Sequence, residues 1–262
     1  MSTMTATDPK ASVLPLLEGS AWPGAADALA QVNALPIPGT KSEAWKYTRV
    51  GKLFKDAYAA PLGDATVALP ERLSFDTTRV VFVNGHFRTD LSDDLKGEKG
   101  IVIDSLKHYL SHGPVKAHYG QVAPVGDHLF TAMNAAAPTD GLIILATKGT
   151  KTSKPIHVLH VTNTGQRLIQ PRDLFILHEG AEVEVIIEHV STGLDVTTSL
   201  VNAIRENVVG EGANLTIHLL QNQASGPAHI GFDAVTIASI GNFSIDTTTL
   251  NGSLVRNEVY VA

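Results

Sequence analysis

The sequence predicts a mainly β protein with a small helical region at its N-terminus. Three observations lead there. From Gly141 to Ala262, short segments alternate polar and apolar residues between Gly, Asn or Pro. Val183, Val185 and Ile187 fall on one face of Glu182–Glu188, and Leu215–Leu219 and Phe243–Asp246 repeat the pattern. This is the two-residue period of a strand. Second, no helical period interrupts these residues, which excludes a doubly wound α/β sheet with crossover helices. Third, Glu179-Gly180-Ala181-Glu182-Val183 is echoed by Glu211-Gly212-Ala213-Asn214-Leu215, and Ile240-Gly241-Asn242-Phe243 then aligns Phe243 with Leu215. A sandwich or barrel and a β-solenoid both fit the strand pattern. The echo favours the solenoid, in which one coil cannot bury its own apolar face. Each inward Val, Ile or Leu then contributes ~1.5–3 kcal/mol once neighbouring coils cover it.

Before Gly141 the elements follow in order. Residues 1–10 read as a loose polar tail. Leu14–Leu35 carries an Ala/Leu pattern (Leu16, Leu17, Ala25, Ala28, Leu29, Val32) that predicts one or two short helices, ended by Pro36 and Pro38. Ser42 suits a helix cap with Glu43 in the first turn. Arg79–Asn84 is β-rich, and Asn84-Gly85 signals a tight turn. A helix is predicted over Asp104–His112, stopped by Gly113-Pro114, and a second over Asp127–Ala137.

Composition narrows the function. The formal net charge is −6, which argues against a non-specific nucleic-acid binder. There is no cysteine, so this chain supplies no disulfide and no thiolate ligand for zinc or an iron–sulfur cluster. No apolar run approaches the ~20 residues that span a bilayer, and Met1–Lys10 lacks the pattern of a signal peptide, so a cytoplasmic protein is expected.

The motifs with chemical potential read more simply as structure. His108 and His112 stand four apart on a predicted helix, but no third metal ligand is evident and a helix C-terminus favours such residues. His178-Glu179-Gly180-Ala181-Glu182 has Glu where a zinc-protease helix needs its second His. Gly210-Glu211-Gly212 has Leu215 where a dinucleotide fingerprint needs a small residue, and Gly51-Lys52 lacks the rest of a P-loop. No G-x-S-x-G element occurs. Trp45 and Tyr47 read as anchors of a helix on the core, and as a recognition patch only secondarily. Arg172 and Arg256 read as rim or coil-spanning donors. His157, His160, His189, His218 and His229 are scattered through strands. Glu182, Glu184 and Glu188 alternate along one exposed face, unlike the paired carboxylates of a polysaccharide-cleaving β-helix enzyme.

Several blocks, in order from about residue 40 onward, resemble the SufB/SufD family of iron–sulfur cluster assembly proteins, its SufD branch more closely. They are Ser42-Glu43 with Trp45-Lys46-Tyr47-Thr48; Val81–Phe87 with Leu91-Ser92; Phe130–Asn134 leading to Asp140-Gly141; Pro155-Ile156-His157-Val158; Pro171–Ile176 with Glu179-Gly180-Ala181; and Leu250-Asn251-Gly252 with Leu254–Asn257. The resemblance implies a right-handed parallel β-helix. It divides the chain into a helical region, 1–78, and a β-helix core, 79–262, with a helical insertion at about 104–137. It implies a non-catalytic scaffold of the SUF system with SufB-like and SufC-like partners, no cofactor held by this chain, and no nucleic-acid or membrane partner. Members of the family are longer, so further coils, a metal-associated histidine and a SufC-docking helical segment are expected beyond Ala262. An uncapped last coil is expected to favour a homodimer through its edge. No catalytic, cofactor-binding or metal residue is assigned. A β-helix carbohydrate-active enzyme and a β-sandwich binding module remain the alternatives.

Overall fold

The alternating segments pair in parallel, each with the segment one coil later. The computed structural model describes residues 8–96, 99–126, 128–193, 196–224 and 226–262. The predicted tail lies outside them up to residue 7, as does Asp127. The N-terminal region holds α1 (Leu14–Leu17), α2 (Ala25–Ala34) and two 3-10 turns, Glu43–Trp45 and Val50–Phe54. Then follow β1 (Thr78–Val83), β2 (His86–Phe87), β3 (Ile101–Ser105), α3 (Leu106–Tyr109), α4 (Gly113–His118), α5 (Leu129–Ala136) and β4 (Leu142–Ala146). The remaining strands are β5 (Ile156–Thr162), β6 (Leu168–Ile169), β7 (Arg172–Leu177), β8 (Glu182–Ser191), β9 (Leu200–Val209), β10 (Asn214–Asn222), β11 (Ala228–Ile237), β12 (Asn242–Asn251) and β13 (Leu254–Val261).

Two sheets result. One runs β12-β10-β8-β5-β1-β2 and the other β13-β11-β9-β7-β4-β3, with β6 paired to β9. Among the described residues, only the β1–β2 hairpin and the β3–β4 pair are antiparallel. Successive segments alternate between the sheets, so the architecture is a β-solenoid and the sandwich reading is excluded.

Register explains the echo. Val183, Leu215 and Phe243 are direct partners in successive coils, as are Ile156, Val185, Ile217 and Ile245. These columns meet Phe175, Leu177, Val209 and Val235 of the second sheet in one dry core. The turn before each coil also repeats. Gly149, Gly180 and Gly212 all adopt positive φ (70°, 65° and 61°), and the amide of each donates to a carbonyl of the following coil: Glu179, Glu211 and Ser239. Ile240 occupies the equivalent place in the next turn with φ 51° and is exposed. A left-handed conformation is unfavourable for a β-branched residue.

The helices differ from expectation in three respects. Asp104 and Ser105 end strand β3, so the predicted helix over Asp104–His112 shrinks to α3. Gly113-Pro114, expected to stop it, instead opens α4, because proline fits the first helical turn where no amide partner is needed. The hairpin at Asn84-Gly85 (φ 48° and 80°) and α5 form as expected. Ser42 precedes a 3-10 turn and makes no side-chain cap.

Replacing Ile240 with Gly is expected to raise unfolding free energy by roughly 1 kcal/mol, because it relieves the left-handed residue. Urea unfolding measures it; a loss of stability would contradict this account of the turn.

Candidate functional site

Three features of the solenoid could bear function: a polar column inside it, a helical cover on one wall, and the last described coil.

The polar column starts from register. Phe82, His160, His189, Gln221 and Thr249 occupy one inward position in successive coils. Phe82 stacks on His160 at 4.9 Å and His160 on His189 at 4.7 Å, and His229 meets His189 edge-on at 4.5 Å. Opposite them, Asp173, Arg205 and Asp233 form a second inward column. Arg205 lies between the two carboxylates, 2.5 Å from Asp233 and 3.5 Å from Asp173. Burial drives the histidines neutral: His160 and His229 are pushed down to about 3 and His189 well below its ordinary value, with Arg205 adding repulsion in each case. Burial raises Asp173 and Asp233, and Arg205 opposes this. The stacked rings of His160 and His189 do not converge on a point, and among the described residues no group of three or more His, Asp or Glu side chains is placed to hold a metal ion.

The helical cover is fastened through the outer face of the second sheet. Arg172 and Glu206, both fully buried, form an ion pair between adjacent strands. Asn134 of α5 accepts from Arg172 at 3.1 Å, its own amide donates to the carbonyls of Pro171 and Asn202, and the Gly120 amide donates to Glu206. Arg172 also lies 5.1 Å from the Tyr119 ring, and burial raises the Tyr119 phenol to about 12. The N-terminal helices pack on α5 and on Leu168, Leu200, Ala228 and Ile230 of the solenoid.

The last described coil is β12 and β13, the outermost strands of their sheets on that side. Ile240, Leu250, Val259, Tyr260 and Val261 are exposed on it. Trp45 braces this coil: the Arg256 guanidinium sits 4.1 Å over its ring and pairs with Glu258 at 2.5 Å. Burial favours a raised Glu258 carboxyl, but hydrogen bonds from His128 and Arg256 outweigh it and hold the group low.

Comparison with known proteins decides the family. The description "SufBD protein N-terminal region" matches residues 24–158, and "SUF system FeS cluster assembly, SufBD core domain" matches 160–262. The chain belongs to the SufBD family. A SufBD family protein of Synechocystis is 26% identical over 250 residues, covering 90% of this chain and 54% of the relative. SufD of Bacillus subtilis is 25% identical over 211 residues (76% and 48%), and SufB of the same organism 28% over 138 residues (52% and 29%). The chain thus spans about half the length of the first two of these.

Within this SufBD chain the singled-out residues scatter. His108 hydrogen-bonds Asp104 at 3.0 Å in α3, while His112 sits at the start of α4 against Tyr109, so they do not share a helix. Gly180 and Gly212 are turns between coils. His157 is buried on the outer face and bonded to Glu188 at 2.9 Å; Glu188 is therefore mostly covered, unlike Glu184, which faces solvent beside His218 at 3.2 Å. Trp45 is a buried anchor, but Tyr47 is 88% exposed, which overturns the anchor reading for it. Arg172 is coil-spanning but fully buried, not at a rim. Sequence reasoning missed the polar column. The same-face positions of His160, His189 and Gln221 could have shown it, once the insertion-shifted register was known.

Two outcomes follow from this geometry. The three interior histidines are neutral in the fold and take up protons in the unfolded chain below 6.5, so stability is full above that value and falls as pH drops. Each contributes about 1.4 kcal/mol per pH unit, partly offset by proton uptake at Asp173 and Asp233. Urea unfolding from pH 7 to 5 should show the decline, with a smaller slope in His189→Leu; a flat profile would refute the buried neutral cluster. Arg172→Leu should cost about 3–5 kcal/mol by stranding Glu206, and adding Glu206→Leu should recover part of it; equal losses in both variants would argue against the pair.

Proposed function

We propose that this chain is a SufD-type, non-catalytic subunit of the SUF iron–sulfur cluster assembly machinery, acting in the cytoplasm as a rigid scaffold for SufB-type and SufC-type partners. The observation that carries the reading is the match of both SufBD domains, in order, across the solenoid. A SufB-type chain is the proposed partner, and a second copy of this chain is the competing one. Cluster thiolates would come from a partner, because this chain has no cysteine. ATP hydrolysis would also belong to a partner: no complete P-loop occurs here. The polysaccharide-enzyme alternative loses support, since Glu188 is occupied by His157, Glu182 pairs with Lys151 and Glu184 with His218.

Co-expression with the SufB-type and SufC-type proteins of the same organism should yield a complex that survives affinity purification and gel filtration at micromolar concentration. Folded partners that elute separately would contradict the scaffold assignment. Light scattering of the chain alone should show mass rising with concentration; a monomer at the highest concentration would remove the homodimer.

A further inference from the structure

The segment 41–55 carries a charge pattern that the solenoid does not use. Lys41, Lys46, Arg49, Lys52 and Lys55 fall within it against a single carboxylate, Glu43. It is thus formally +4, leaving −10 for the rest of a chain whose net charge is −6. All five cations are exposed. Among the described residues none of the five lies in an ion pair, whereas Arg72, Arg88, Lys148, Lys151 and Lys154 on the same molecule each hold a carboxylate. Exposed cations concentrated without counter-charges repel one another and favour an anionic partner.

Two further observations refine that partner. Tyr47, at 88% exposure, projects from the middle of the segment, with the Lys46 ammonium 5.4 Å from its ring centroid. Tyrosine and arginine are both enriched at binding hot spots, and Arg49 follows Tyr47 by two residues. Next to it runs a groove of about 490 Å³, lined by Leu35, Ile37, Pro38, Lys41, Trp45 and Leu129. Its floor is fixed, because Trp45 is clamped between Phe130 at 5.4 Å and Arg256 at 4.1 Å. A fixed apolar groove lined by Lys41 and continuous with the basic segment suits an extended peptide bearing several carboxylates and one apolar side chain.

We propose that the basic segment 41–55 and the adjoining Trp45 groove dock an acidic peptide segment of a partner protein, its carboxylates on Lys46, Arg49 and Lys52 and an apolar anchor in the groove. A nucleic acid fits less well. Its phosphates would run past this short patch onto a surface of net negative charge, and it has no aliphatic anchor for the groove. The surface adjoins β13 through Trp45 and Arg256, but its test needs neither a SufB-type nor a SufC-type protein, so the inference stands or falls independently of the scaffold reading.

The test uses the whole chain and a fluorescein-labelled probe peptide of about 12 residues, rich in Asp and Glu with one central Phe, read by fluorescence polarisation at about 0.15 M salt. Saturable micromolar binding is expected. The triple variant Lys46→Glu/Arg49→Glu/Lys52→Glu should weaken it at least about tenfold, and Tyr47→Ala or a Phe→Ser probe several-fold. A charge-matched control, Lys99→Glu/Lys116→Glu/Lys148→Glu, should change it less than about twofold. These side chains are exposed, so melting temperatures of all variants report whether the fold is kept. Three results would each overturn the proposal: no saturable binding, equal losses in the patch and control variants, or an oligothymidylate of the same length binding as tightly as the peptide.

Discussion

Everything in this molecule depends on one constraint: each coil must present to the next the same residue position on the same face. Parallel pairing holds the columns Ile156–Val185–Ile217–Ile245 and Val183–Leu215–Phe243 in register, and a slip by one residue would turn every apolar side chain outward. The turns keep the count. A left-handed residue recurs before β8, β10 and β12, and the coil spacing can shorten between these turns without disturbing the columns because the loops on the opposite corner absorb the difference.

The same constraint that stacks apolar residues also stacks polar ones. Once His160 points inward, its partners His189 and Gln221 share its environment, and the opposite wall answers with Asp173, Arg205 and Asp233. Such a column contributes less stability than a dry one and makes the fold sensitive to acid. On the outer wall the logic is different. Arg172 and Glu206 are covered by Asn134, Gly120 and Tyr119, so the helical insertion and the solenoid are joined by directional bonds as well as by apolar packing.

Much of the fold was legible in the sequence because its signals are local. The period-2 segments and the Glu-Gly-Ala echo marked the strands of β8, β10 and β12, and the alignment of Phe243 with Leu215 is the observed register. What escaped was set by tertiary context. Asp104-Ser105 became strand because β4 lies beside them, and Gly113-Pro114 opened a helix that its residues alone suggested they would end. The functional surfaces were less legible still. Tyr47 and Trp45 are two residues apart in one motif, yet one is buried under Arg256 and the other is in solvent, a division made by a strand more than two hundred residues away. The ordered blocks identified the family, whereas which side chains of a coil are covered is set by stacking and by no single motif.

The most direct test of the scaffold reading is hydrogen–deuterium exchange of the chain with and without a SufB-type and SufC-type subcomplex. A contiguous set of solenoid amides should gain protection on complex formation. Unchanged exchange along the whole chain in the presence of folded partners would contradict the account.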